Sequence, residues 1–255
     1  MNRPPCSLKP EQGDKVTSLD TEFMRTFRKL TAHRSPRDVL TVFCRIAANR
    51  IDPALAGSTE CQESAGKLTG DYSPAEKDML EALIRLLPQV LQENPRDFLG
   101  ECVMSLELGN SAMGQYFTPG ALADLKFELL KQDYASEIRK HGFIILQEPA
   151  VGSGGLIIKM ANGLVDAGFN LSAALFVSCA DNDAFAADMA FIQLSLLGIA
   201  AEVSTGDTLR MEFRKTRYTL AYWMNNFNER LKVRRMFEGV VFTGREVNCD
   251  TPPKR

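Results

Sequence analysis

The sequence predicts an α/β protein in which a parallel sheet follows an N-terminal α-helical region. Three observations carry this reading. From about residue 113 onward, short apolar runs alternate with longer runs at helical spacing, a pattern that implies right-handed crossovers between parallel strands. A small-residue turn, Glu148-Pro149-Ala150-Val151-Gly152-Ser153-Gly154-Gly155, joins the apolar run Phe143-Ile144-Ile145-Leu146 to a helix-like run over 156–164. Before residue 112, apolar positions recur at helical spacing behind Ser-Pro starts.

Composition sets the bounds. The chain has 255 residues, 45% apolar and 24% charged, enough for one α/β domain plus a smaller appendage. Charge interrupts every apolar stretch well before the roughly 18 residues a membrane span needs. Residues 1–20 are polar and Pro-bearing, read as a disordered lead-in rather than a signal peptide. Six cysteines without a CxxC pair and only two histidines exclude a disulfide framework and a zinc site, and point to a reducing cytoplasm. Cys44, Cys102 and Cys179 sit among apolar residues and read as packed thiols. Residues 210–255 hold eleven Lys and Arg against five Asp and Glu, in a chain whose net charge is -2. Arg230, Lys232, Arg234 and Arg235 therefore suit either nucleic-acid phosphates or a solvated helix face.

Ser35-Pro36 and Ser73-Pro74 each open a helix: serine caps, proline fits the first helical position, and an acidic residue follows at Asp38 or Glu76. The second helix, over 77–92, shows one stripe through Leu80, Leu83, Ile84, Leu87 and Leu91, with Pro88 expected to kink or end it. Residues 52–72, rich in small residues, read as a loop. The helical region, 21–112, is expected to end at the Gly109 to Gly114 segment, where an α/β domain over 113–247 and a tail over 248–255 take over. Within that domain the expected order is a helix over 120–135, a strand over 142–147, the glycine turn, a helix closed by Gly168, and a strand over 173–179. A helix over 184–197 and a short strand over 201–203 complete the pattern.

Ligands of such sheets bind beyond the carboxyl ends of the strands. The glycine turn, Asp181 and Asp207 fall at three such ends. The turn lacks the spacing of a dinucleotide fingerprint, and Glu148 beside it would repel a pyrophosphate and suits a cationic amine. Asp181 is placed to accept from a ribose diol, and Asp207 from an exocyclic amine. Taken singly, Asp181 and Asp183 also suit helix caps, and Asp207 an ordinary turn.

Five motifs in order, Asp97-Phe98-Leu99-Gly100-Glu101, Leu106-Glu107-Leu108-Gly109-Asn110, Gly114-Gln115-Tyr116-Phe117-Thr118-Pro119, Glu148 to Gly155 and Gly206-Asp207-Thr208-Leu209, resemble the modification (M) subunit of type I restriction-modification systems and its adenine-specific N6 DNA methylase relatives. The resemblance spans roughly residues 75–227. It implies a Rossmann-like S-adenosylmethionine-dependent methyltransferase sheet, shortened at its C-terminal side, and S-adenosyl-L-methionine as cofactor. It implies cofactor contacts from Tyr116, Thr118, Pro119, Glu148, Ala150, Gly152, Gly154, Asp181, Asn182 and Asp207. DNA, with a specificity or restriction subunit, is the partner it implies; no metal and no membrane is expected.

One element departs from the family. Its Asn-Pro-Pro-aromatic motif, which receives the amine of a base rotated out of the duplex, is absent. Its slot holds the strand-like run Tyr218 to Phe227, so the resemblance puts any catalytic role on Asn225, Asn226 and Phe227. Tyr222 and Trp223 read there as packed strand residues or as a stacking platform. Only 28 residues follow Phe227, with one further strand expected over 240–243. Two readings stay open: an N6-adenine methyltransferase, alone or with a partner completing its pocket, or a pseudoenzyme that keeps the cofactor half and binds DNA or a restriction-modification partner.

Overall fold

The computed structural model describes residues 16–106 and 132–238. The expected boundary at 109–114, Tyr116, Thr118, Pro119, the strand over 240–243 and the tail from 248 lie outside the described residues.

Five helices come first. Helix α1 (Ser18–Leu30) starts in a reciprocal capping box between Thr17 and Asp20. Helix α2 (Pro36–Ile51) and helix α4 (Pro74–Glu93) start where the Ser-Pro pairs place them, with Ser35 and Ser73 accepting from the amides of Asp38 and Glu76. Between them the expected loop over 52–72 contains helix α3 (Thr59–Leu68), capped by Ser58. Cys61 is its only buried residue, so it carries no apolar stripe and reads like loop in sequence. Helix α5 (Phe98–Ser105) follows, with Asp97 as its cap.

Pro88 does not end α4, which runs five residues beyond it. The helix is held by packing: Leu80, Leu83, Leu87, Val90 and Leu91 are buried, largely against α1, which outweighs one missing backbone donor. Pro88 itself is exposed. Pro88→Ala restores that donor without touching the core and is expected to stabilise the protein by about 1–2 kcal/mol, since the fixed proline ring gives back part of the gain through the unfolded chain. Scanning calorimetry checks this; an unchanged or lower midpoint would mean the helix has already relaxed around the ring.

After helix α6 (132–141) come β1 (Ile144–Glu148), α7 (Gly155–Asp166), the short α8 (Leu171–Ala174), β2 (Leu175–Asp181), α9 (Ala184–Leu196) and β3 (Ala200–Asp207). The chain closes with β4 (Glu212–Tyr218), α10 (Leu220–Met224) and α11 (Phe227–Glu238). The sheet order is β1-β2-β3-β4. The first three strands are parallel, in register Glu148 to Cys179 and Asp181 to Thr205. The fold class is the α/β expected, with one correction: β4 is antiparallel to β3. Its residues are mostly charged and exposed, so no apolar alternation marks it. A second correction follows, because the run expected as a strand over 218–227 is mostly helical. Tyr222 is buried in α10, and Trp223 is 44% exposed beside it.

Two apolar layers sandwich the sheet. On one face Leu175, Val177, Ala201 and Val203 join α7, α9 and the N-terminal helices in a single core that includes Phe23, Phe43, Leu83 and Leu99. On the other, Phe143, Phe176 and Ala200 pack under Tyr222, Phe227 and Leu231 of α10 and α11. Helix α9 is buried over ten consecutive residues, Phe185 to Leu194, because it is wedged between the sheet and helices α2, α4 and α5.

The edge strand is anchored by buried charge. Arg217 of β4 is paired with Asp188 of α9, donates from Nη2 to Asn49 Oδ1 at 2.8 Å, and places Nε 3.3 Å from Asp52 Oδ2 without hydrogen-bond geometry. Arg45 holds the other Asp188 oxygen at 2.5 Å. The side chains of Arg217, Asp188 and Asp52 are about 5% exposed, so β4 docks on the helical region through ions removed from water.

Candidate functional site

The glycine turn is built by backbone demands. Val151 donates to Ala180 O at 2.9 Å, tying the turn to the end of β2. Gly152 at φ +58° and Gly154 at φ +98° take the left-handed conformations that reverse the chain into α7. The amide of Gly154 returns to Val151 O, and Ile158 begins the helical ladder on Gly154 O. The two glycines differ in surroundings. A Cβ on Gly154 would rest on Ala190 at 3.6 Å, whereas the same position on Gly152 faces open space. Bare backbone is thus presented on the rim of the sheet at Gly152.

Asp181 fixes that backbone. Its Oδ2 accepts from the Gly152 amide and its Oδ1 from the Asp183 amide, both at 2.9 Å. Burial pushes its carboxyl above the usual range, opposed by these two amides. Each oxygen has a further lone pair, so the carboxylate retains acceptor capacity toward the rim. Glu148, at the end of β1, accepts from Ala150 at 3.2 Å. Thr208, just past β3, donates to Pro149 O at 3.1 Å and links the third strand end to the turn. Asn182 is held by Arg214, which donates to its backbone and side-chain oxygens at 2.6 and 3.2 Å.

Glu148, Ala150, Gly152, Gly154, Asp181, Asn182 and Asp207 therefore lie along one rim, at the carboxyl ends of three adjacent parallel strands. Asp207 is the weakest member. Its Oδ1 already accepts from the amides of Leu209 and Arg210, an ordinary turn role, and Arg210 Nε is 3.7 Å from its Oδ2.

Asn225, Asn226 and Phe227 are not brought to this rim. Phe227 is 0% exposed, stacked on Phe176 at 5.5 Å between ring centroids and edge-on to Phe143 at 5.3 Å, at the amino ends of β1 and β2. A ring packed there has no face left for a base. Asn225 Nδ2 donates to Ala221 O at 2.9 Å, and Asn226, at φ +54°, is the joint between α10 and α11. The antiparallel β4 carries the chain to the other end of the sheet, so these three residues and the rim lie apart. The basic residues of α11 are also partly committed. Arg230 donates to Ala173 O at 2.8 Å and lies over the Phe227 ring, Arg234 donates to Phe143 O at 2.9 Å, and Lys232 pairs with Glu229.

Sequence reasoning passed over the side chains beneath the turn. Ser153 Oγ donates to Asp97 Oδ2 at 2.6 Å, and Gln193 Nε2 donates to Asp97 Oδ1 and to Ser153 O, both at 2.8 Å. Gln193 Oε1 in turn accepts from the Leu99 amide at 3.0 Å. Ser153 is 1% exposed and Gln193 0%. A Gln in a helix whose other polar residues are only Asp188 and Ser195 was the signal available.

The charge pattern selects among ligands. A Cβ placed on Gly155, the first residue of α7, would lie 2.6 Å from Asp97 Oδ2, so a carboxylate already stands at the helix end that would otherwise attract a phosphate. With Glu148 and Asp181 also on the rim, the set of acceptors fits a neutral or cationic ligand bearing hydroxyls, and the open side of Gly152 gives it backbone to approach. The buried thiols of Cys44 and Cys102 are not part of this site. Burial pushes that of Cys102 up to about 12 and that of Cys44 well above its usual range. Among the described residues, no group of His, Cys, Asp and Glu is arranged to hold a metal ion, and no helix is long and apolar enough to cross a membrane.

A family model described as N-6 DNA Methylase matches residues 104–239, just over half of the chain. Among solved structures, the chain is similar to a protein from Listeria monocytogenes named as a class I S-adenosylmethionine-dependent methyltransferase, with 18% sequence identity and a TM-score of 0.35. That likeness covers 71% of this chain and 54% of the other, so this chain spans about half the length of the protein it matches. No curated protein matches the chain.

Proposed function

Because the chain belongs to the N-6 DNA methylase family, we propose that its rim binds S-adenosyl-L-methionine and that the protein serves methyl transfer to the N6 amine of adenine in DNA. The observation that carries the reading is the open Gly152 backbone set between Glu148 and Asp181. When bound, S-adenosylmethionine supplies an electrophilic methyl group on a sulfonium. Asp181 is assigned to the ribose hydroxyls, Glu148 to the cationic amino-acid end, Ala150, Gly152 and Gly154 to backbone approach, and Asn182 and Asp207 to the adenine edge. Tyr116, Thr118 and Pro119 are proposed to close over the ligand. Transfer to an amine needs positioning above all. The helical region to residue 112 and the α/β part from 113 are proposed to act as one body.

A second reading is favoured by one observation, the committed Asn225, Asn226 and Phe227. It makes the chain a catalytically inactive methylase-fold module that binds the cofactor and binds DNA or a restriction-modification partner without transferring a methyl group; a partner that completes the target-base pocket belongs to the first reading.

Calorimetric titration with S-adenosylmethionine tests the cofactor claim common to both. Asp181→Ala is expected to weaken binding on the order of 10- to 100-fold, the value of charge-assisted hydrogen bonds. Binding should also weaken as pH falls through the raised Asp181 value, since only the ionised carboxylate accepts from both hydroxyls and the Gly152 amide. In Asp181→Asn that pH dependence should flatten. Absence of binding by the intact chain would overturn the cofactor claim. Transfer of labelled methyl to adenine-containing DNA then decides between the two readings.

A further inference from the structure

The geometry points to Asp97 as a positioning residue that holds the glycine turn in its ligand-ready shape from the helical side. The inference rests on the proposed cofactor reading for its ligand, but its structural argument stands on contacts already in place. The Asp97 carboxylate caps α5 through the Gly100 amide at 3.0 Å and accepts from Ser153 Oγ at 2.6 Å, inside the turn itself. Gln193 locks both ends at once, donating to Asp97 Oδ1 and to the Ser153 carbonyl while accepting from Leu99. Three separate segments, the start of α5, the turn and the middle of α9, thereby share one closed set of hydrogen bonds.

Glycines make the approach feasible. Side chains at Gly100 or Gly155 would run into the Asp97 carboxylate, and one at Gly100 would also meet Ser153 Oγ at 2.6 Å. The two helix starts are bare where they face each other, and the carboxylate fills the gap. Nothing in this set touches the open side of Gly152, so Asp97 acts through the turn and not on a ligand. Ser153 is the lever. Its neighbours Gly152 and Gly154 both hold left-handed backbone, which few constraints within the turn enforce. Anchoring the serine between them from below fixes the direction in which the Gly152 backbone is presented.

The test uses the full chain with Asp97→Ala and Asp97→Asn, read by S-adenosylmethionine titration and by hydrogen exchange of the Gly152 and Gly154 amides without ligand. Asp97→Ala is expected to speed exchange at these two amides about tenfold and to weaken cofactor binding by a similar factor. Asparagine keeps an acceptor for Gly100 and Gln193 and presents an amide to Ser153 Oγ, so Asp97→Asn should return both readouts to within about threefold of the parent. A purely stabilising role would lower the melting temperature of Asp97→Ala while leaving affinity and turn exchange unchanged in the folded protein; that result overturns the proposal. If the parent chain binds no S-adenosylmethionine, the cofactor reading falls, and the exchange rates alone decide the role of Asp97: faster exchange sustains it, unchanged exchange ends it.

Discussion

Arg217→Met is expected to lower the free energy of unfolding by about 3–5 kcal/mol. The size follows from what is left behind. Asp188 keeps only Arg45, and Asp52 and Asn49 lose the guanidinium that faces them, all in surroundings nearly closed to water. Methionine fills similar space over Phe191, where the guanidinium now lies 5.3 Å from the ring centroid, so packing is largely conserved and the uncompensated carboxylates dominate. Arg45→Met serves as the control. Arg45 is 36% exposed, water can take over its role toward Asp188, and the expected loss is about 1 kcal/mol. Urea unfolding with an unchanged slope reads both. Equal midpoints for the two variants would show that the buried pair contributes no more than a surface one.

Gly100→Ala is expected to destabilise by about 1–3 kcal/mol, against the sign that helix propensity alone assigns. Gly100 lies in the first turns of α5, where alanine ordinarily gains up to about 1 kcal/mol over glycine. Here the added methyl would collide with the Asp97 carboxylate and with Ser153 Oγ, neither of which is at the end of a long flexible chain. Relief requires breaking the hydrogen bonds of Asp97 to Ser153, Gln193 or the Gly100 amide, and the loss of even one buried partner exceeds the propensity gain. Gly66→Ala in α3 is the comparison, since nothing lies within 4 Å of its added methyl. Thermal unfolding of the two variants should move in opposite directions; a shared upward shift would remove the steric argument.

Features that are local in sequence were legible before the structure. Ser35, Ser73 and their prolines mark helix starts through chemistry confined to four residues, and the turn from Glu148 to Gly155 announces its reversal by its glycines. Asp181 and Asp207 fell at strand ends because strand and helix lengths in a crossover unit are narrowly bounded. Two kinds of feature were hidden. Helix α3 buries only Cys61, so no periodicity separates it from loop. Strand β4, with Glu212, Arg214, Lys215 and Arg217, is charged because its inward contact is made through an ion pair instead of apolar side chains. Its antiparallel sense then relocates everything downstream, which is why Phe227 is in the sequence slot of a stacking aromatic and in the spatial slot of a core residue. The side chains under the turn were hidden for a different reason. Asp97, Ser153 and Gln193 lie 96 residues apart at their extremes, and no local pattern encodes their meeting.

Helix α9 bears on how quickly such a chain can reach its native state. A helix with no solvent face cannot be completed by the strands on either side of it alone. Its outer surface is supplied by segments that precede it by far, through the Leu99 to Gln193 hydrogen bond and the Arg45 to Asp188 contact, which closes a separation of 143 residues. The entropy of closing such long loops is lost before the contacts form to offset it, so the folding barrier is set by topology more than by any single interaction. Until that closure the ten positions of α9 that end up buried, eight of them apolar, face water together, which makes the interval before docking the time at which the chain is most exposed to self-association.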